Sequence, residues 1–211
     1  MTAPQTAIQY ARDHRDQFLD DFKDLVRIPS ISTLPERLAD MQRAAEWVAG
    51  QLKGLGFEPV QIVPTARHPI VFGEHLRAPK GAPTILFYGH YDVQPVDQVE
   101  LWKSDPFEPT IRGDDLFARG ASDMKGQVIA HMKAVESMVR TEGLPVNLKY
   151  LIEGEEEIGS PNIGKFVEDH KAMLASDFCL NADTSILAPD IPAITYGLRG
   201  LTYYEIRVQG A

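Results

Sequence analysis

The sequence predicts an α/β fold, a three-layer sandwich around a mostly parallel sheet. Segments of helical period alternate with short apolar runs bounded by turn residues, as in chains built from strand and helix units. Four polar clusters also follow apolar runs, and open α/β sheets place their sites at the carboxyl ends of strands. At 211 residues, 44% hydrophobic and 24% charged, the chain is large enough to bury a real core.

The first helix spans about Thr6–Arg27, with Ile8, Ala11, Phe18, Phe22, Leu25 and Val26 recurring near the helical period. Pro29 stops it, because proline disfavours helical geometry before it and has no N–H to donate. Leu38–Leu52 forms a second helix with Leu38, Met41, Ala45, Val48 and Leu52 on one face, closed by Gly54 and Gly56. Strands follow at Phe57–Val63, Pro69–Phe72 and Thr84–Tyr88, the last apolar enough to be buried on both faces. The connection Tyr91–Leu116 has no regular period, but its aromatic residues Tyr91, Trp102 and Phe107 mark it as an ordered loop. Asp123–Thr141 is a helix, Val146–Ile152 a strand, and Ser160–His170 a helix with Ser160 at the N-cap. Phe178–Leu180, Ala193–Tyr196 and Leu201–Val208 read as further strands.

Thirty acidic residues against 21 basic ones give a net charge of −9, and no Lys/Arg block appears, so nucleic acid and polybasic membrane contacts are not expected. The single cysteine, Cys179, excludes an internal disulfide framework. Met1–Phe18 is polar, and no run approaches the ~18 apolar residues of a membrane span. The expectation is a soluble cytoplasmic protein.

Chemistry collects in four places. His90 ends a strand with Asp92 two residues on, and an imidazole that binds metal usually gives its other N–H to a carboxylate; a strand-end histidine making ordinary hydrogen bonds is the alternative. Asp123 stands where a glycine-rich turn enters a helix; a plain N-cap is the alternative. Glu155, Glu156 and Glu157 crowd the end of a buried strand, which is costly unless a cation or a proton neutralises them. Asp183 follows the strand at Phe178–Leu180, where an ordinary turn aspartate is the alternative. An imidazole with hard oxygen ligands suits Zn²⁺ or Mn²⁺, and the lack of a cysteine pair argues against a structural zinc site.

The stretches Gly89–Pro95, Trp102–Phe107, Ala118–Gly126, Glu155–Ser160 and Gly197–Gly200 together resemble the co-catalytic zinc metallopeptidases. That family includes aminoacylase, succinyl-diaminopimelate desuccinylase, glutamate carboxypeptidases and carnosinase-type dipeptidases. Asp92–Pro95 and Trp102–Phe107 are most similar to the dipeptidase branch. The resemblance implies the zinc-peptidase catalytic domain and two divalent metal ions, Zn or Mn. Asp123 would bridge them, His90 and Asp183 would complete one ion's ligands, and Glu157 would bind the other. Glu156 would be the general base that activates a water between the ions, Asp92 would orient His90, and the peptide after Asp123 would be cis. The implied reaction is hydrolysis of the amide bond of a dipeptide or short peptide.

The resemblance also calls for a late metal-binding histidine and an inserted lid domain that, in many members, makes a homodimer. Residues 1–200 then read as the N-terminal part of the catalytic domain and residues 201–211 as the start of the lid, an incomplete form of the enzyme. Leu201–Val208 should have an exposed edge that needs a partner. His14, His68, His75, His131 and His170 lie outside the motifs, and His131 and His170 read as surface residues of helices. An N-acyl-amino-acid deacylase and a non-catalytic fragment kept for partner binding are the alternative readings. The expected outcome is that the 211 residues bind at most one ion tightly and hydrolyse little or nothing. Metal analysis that finds two tightly held zinc ions together with full dipeptidase turnover would refute it.

Overall fold

The computed structural model describes residues 5–188, 190–191 and 193–210. The first helical stretch is two helices, α1 (Gln5–Asp13) and α2 (Arg15–Val26), meeting at His14. The Tyr10 carbonyl accepts the His14 backbone N–H at 3.0 Å and lies 2.9 Å from the ring Nδ1. A side chain that competes for a helix carbonyl interrupts the run there. Helix α3 (Leu38–Gly54) buries Met41, Ala45, Val48 and Leu52 as expected, while Leu38 is exposed.

Strands β1 (Val60–Val63), β2 (Ile70–His75) and β3 (Thr84–His90) follow. The long connection then carries a hairpin of β4 (Thr110–Arg112) and β5 (Asp115–Phe117), turned at Gly113 with φ 64°. Its strands are three residues each, too short to show a period in the sequence. Helix α4 (Lys125–Val139), strand β6 (Asn147–Glu153), helices α5 (Ile163–Asp169) and α6 (Lys171–Leu174), and strand β7 (Phe178–Asn181) complete the regular elements.

The main sheet has the order β1-β2-β6-β3-β7. Strand β3 is parallel to both β6 and β7, and β2 is antiparallel to both β1 and β6, so four of the five strands run one way. Alternate residues face opposite sides of the sheet. Val71, Phe87, Tyr150 and Ile152 pack with α2, α3 and α4 through Leu25, Val48, Leu52, Val128 and Met132. Ile70, Phe72, Leu86 and Leu151 pack with α5 and α6 through Phe166 and Leu174. This is the expected three-layer sandwich. Among the described residues, no helix is long and apolar enough to cross a membrane.

Three expectations need correction. Ser160 does not cap a helix: its φ is 51°, its hydroxyl donates to Glu153, and α5 begins three residues later behind Asn162. A buried carboxylate there takes the hydroxyl that a cap would have used. Ala193–Tyr196 and Leu201–Val208 have no regular structure, with Tyr196 and Ile206 exposed. A strand gains its ladder bonds only from a neighbour, and none of the described residues pairs with them. His131 is half-buried rather than a surface residue, stacked 4.0 Å from the Phe87 ring with Nδ1 2.6 Å from the Tyr150 hydroxyl.

Two buried lysines tie helix ends to the sandwich. Lys149 Nζ donates to the Met173 and Ala175 carbonyls at the end of α6, at 2.6 and 2.9 Å. Lys125 Nζ donates to Ile28 O at 2.6 Å and Leu25 O at 3.2 Å at the end of α2, where the helix dipole favours a cation. Burial pushes the Lys125 ammonium down to about 7, against the pull of Asp92. Such a lysine is neutral in the folded chain above that pH but charged in the unfolded chain up to about 10.4. The unfolded state therefore binds the extra proton, and stability climbs as pH rises through that window. We expect this contribution to reach at most about 1.4 kcal/mol per pH unit and to vanish in Lys125→Met. Urea unfolding of both proteins between about pH 7 and 10 checks it, since parallel stability profiles would overturn the assignment.

Candidate metal centre

The parallel strands bring the site together by register. His90, the last residue of β3, is level with Glu153, the last residue of β6. Tyr88 is level with Asn181 on β7, so two further residues along each chain place Asp183 beside His90. Asp123 arrives from the turn before α4, whose first residue is Lys125. Its carboxylate caps no helix N–H, so the N-cap reading of Asp123 is set aside. The Asp123–Met124 peptide is cis.

His90, Asp123 and Asp183 each offer one ligand atom, and these three atoms lie within 4.8 Å of one another. His90 Nε2 is 3.2 Å from Asp123 Oδ1, 3.6 Å from Asp183 Oδ2 and 3.9 Å from Glu156 Oε2. On its other side, Nδ1 lies 3.0 Å from the Asp92 carbonyl and 3.3 Å from Asp92 Oδ1. The imidazole is wholly buried, as is the Asp92 side chain, whereas Asp123 is open to solvent. Burial opposes a charge on His90, yet hydrogen bonds with Asp123, Asp183 and Asp92 push it up to about 12. Asp123 is held below the usual carboxylate range by its hydrogen bond to His90. The potential here calls for positive charge. One imidazole nitrogen and two carboxylate oxygens converging from three segments form a donor set that suits a divalent cation such as Zn²⁺ or Mn²⁺.

Asp92 also grips the turn that follows β6. Its Oδ1 accepts the Glu156 N–H at 3.2 Å, and Oδ2 accepts the Glu157 N–H at 3.1 Å. Gly154 lies against Tyr91, where a Cβ would overlap the tyrosine hydroxyl. The neighbouring glutamates differ sharply. Glu155 is buried, and its carboxylate accepts hydrogen bonds from His68 N, the Thr65 hydroxyl and the Asn162 amide. Glu153 accepts from the Tyr88 hydroxyl at 2.6 Å and the Ser160 hydroxyl at 2.8 Å. Glu156 makes no side-chain hydrogen bond of this kind and faces His90. Burial raises its pKa, with Glu157, Asp183 and Asp92 adding and His90 opposing.

Glu157 stands outside the His90, Asp123 and Asp183 group among the described residues. Its Oε2 instead accepts the Gln94 side-chain amide at 2.8 Å. Burial raises its pKa, the Gln94 hydrogen bond opposes, and Asp123 adds. Gln94, Glu153 and Glu155 join this end of the sheet without a role assigned to them by motif or spacing. Gln94 was detectable, since His90, Asp92 and Gln94 follow the period of two by which one side of an extended segment is lined. The remaining histidines serve elsewhere: for example, His68 Nε2 lies 2.9 Å from Ser32 O and His170 stacks on Phe166.

Residues 86–207 match the model of peptidase family M20/M25/M40. The chain is 34% identical over 221 residues to human Beta-Ala-His dipeptidase, covering 97% of this chain and 43% of that protein. It is 33% identical over 201 residues to Cysteinylglycine-S-conjugate dipeptidase of Corynebacterium striatum, covering 92% and 43%. The crystal structure of human carnosine dipeptidase 1 superposes with a TM-score of 0.79 at 33% identity, covering 85% of this chain and 41% of that one. The chain thus spans less than half the length of these relatives.

Asparagine at position 92 would present one oxygen and one NH₂ where two backbone N–H groups and His90 now face a carboxylate. Asp92→Asn is expected to weaken Zn²⁺ binding about 10–100-fold and to lower stability by about 1–3 kcal/mol. Calorimetric titration and urea unfolding measure the two effects, and unchanged values in both would show that Asp92 holds neither His90 nor the turn.

Proposed function

Since the chain belongs to peptidase family M20/M25/M40, we propose that it forms part of a metal-dependent hydrolase of dipeptides or short peptides. The observation that carries this reading is the convergence of His90, Asp123 and Asp183 with the Glu156 carboxylate beside them. His90, Asp123 and Asp183 would hold one divalent ion, for which zinc fits the imidazole and carboxylate donors, and Asp123 and Glu157 would hold a second. When bound, such ions supply Lewis acidity, acidifying water and polarising the scissile carbonyl.

The chain's own residues do the rest. Asp92 fixes the orientation of His90, leaving Nε2 toward the site. Glu156 takes the proton of the attacking water and hands it to the leaving amine. A carboxylate with its pKa raised by burial and by neighbouring carboxylates suits that task. Among the six histidines only His90 joins the cluster, which supports one tight ion position rather than two in this chain.

The test pairs metal analysis with a panel of dipeptides, N-acetyl and N-succinyl amino acids. Glu156→Gln is expected to keep the metal content and to lose about 10²–10⁴ of whatever dipeptide rate the unaltered chain shows. A rate retained in that variant would remove Glu156 from its role, and faster cleavage of the N-acyl amino acids would make the chain a deacylase.

A further inference from the structure

We propose that Gln94 is the positioning residue for the Glu157 ion position. The inference rests on the two-position reading above and adds the group that holds the second position's glutamate in place.

Gln94 leaves a backbone that is already fixed. Val93 N donates to Ser30 O at 2.9 Å, Val93 bridges to Ile31, and the Ser30 hydroxyl donates to Tyr91 O at 2.6 Å. From there the side-chain Nε2 donates to Glu157 Oε2 at 2.8 Å and to the Glu157 carbonyl at 3.2 Å. Both partners are acceptors, so only the NH₂ end of the amide can face them. With the Glu157 N–H held by Asp92 at 3.1 Å, this one residue is gripped at its N–H, its C=O and its carboxylate. Asp92 and Gln94 supply all three grips from one edge of the loop.

The chemistry fits a ligand-orienting donor. The neutral amide engages one carboxylate oxygen and leaves Oε1, with the group's negative charge, for a cation. Carboxylate ligands are commonly hydrogen-bonded in this way, and removing such a partner typically costs about 10–100-fold in metal affinity. His90, Asp123 and Asp183 make no hydrogen bond with Gln94, so its effect falls on one position alone.

Calorimetric titration of the chain with Zn²⁺ tests this. We expect a tight step and a weaker step, with Gln94→Ala weakening the weaker step about 10–100-fold and sparing the tight one. Glu157→Gln should remove the weaker step, and Gln94→Ala added to it should change nothing further, the non-additivity of residues acting through one another. The proposal is overturned if Gln94→Ala leaves the weaker step unmoved, if it weakens both steps together, or if it still acts when Glu157 is changed. Absence of a weaker step in the unaltered chain would instead sink the two-position reading beneath it.

Discussion

The Asp92 carboxylate is wholly buried and accepts the backbone N–H groups of Glu156 and Glu157 while facing Nδ1 of His90. A buried charge costs several kcal/mol unless hydrogen bonds and opposite charge compensate it. Here two N–H groups and the imidazole do so. The same contacts join the end of β3 to the turn after β6, so the group that orients the imidazole also sets where the glutamates stand. The imidazole and the glutamate turn thus take their geometry from that one anion.

The sheet supplies the second constraint. Because β3, β6 and β7 are parallel and in register, their carboxyl ends deliver His90, Glu153 and Asp183 at one level. Residues far apart in sequence become neighbours with little further adjustment. Glu153 and Glu155 are spent on hydrogen bonds that hold the turn, which leaves Glu156 turned toward His90. A run of like charges is thus divided between holding the loop and facing the site.

Much of this was legible in the sequence. Helices α3 and α4 and strands β3 and β6 announce themselves by period and by apolar runs, because their buried faces are long enough to repeat. The grouping of His90, Asp123 and Asp183 was legible through motif order and position after apolar runs. What stayed hidden depends on tertiary competition. His14 breaks a helix by reaching for the Tyr10 carbonyl, and Ser160 abandons a cap for Glu153. The apolar alternation at Leu201–Val208 reads as a strand, but without a pairing neighbour it stays irregular. Gln94 sat inside a recognised stretch, yet nothing in the order of residues reveals that its amide reaches across to the turn after β6.

The level alignment of three strand ends has a thermodynamic corollary. His90, Asp123 and Asp183 come from three separate segments, so the cluster they form exists only once the sandwich has assembled. A cation that binds the folded chain alone adds RT ln(1 + [L]/Kd) to its stability, about 2.7 kcal/mol at a hundredfold excess over Kd. Chelators in a buffer would then act as mild denaturants, and the availability of the ion would help set how long the fold survives.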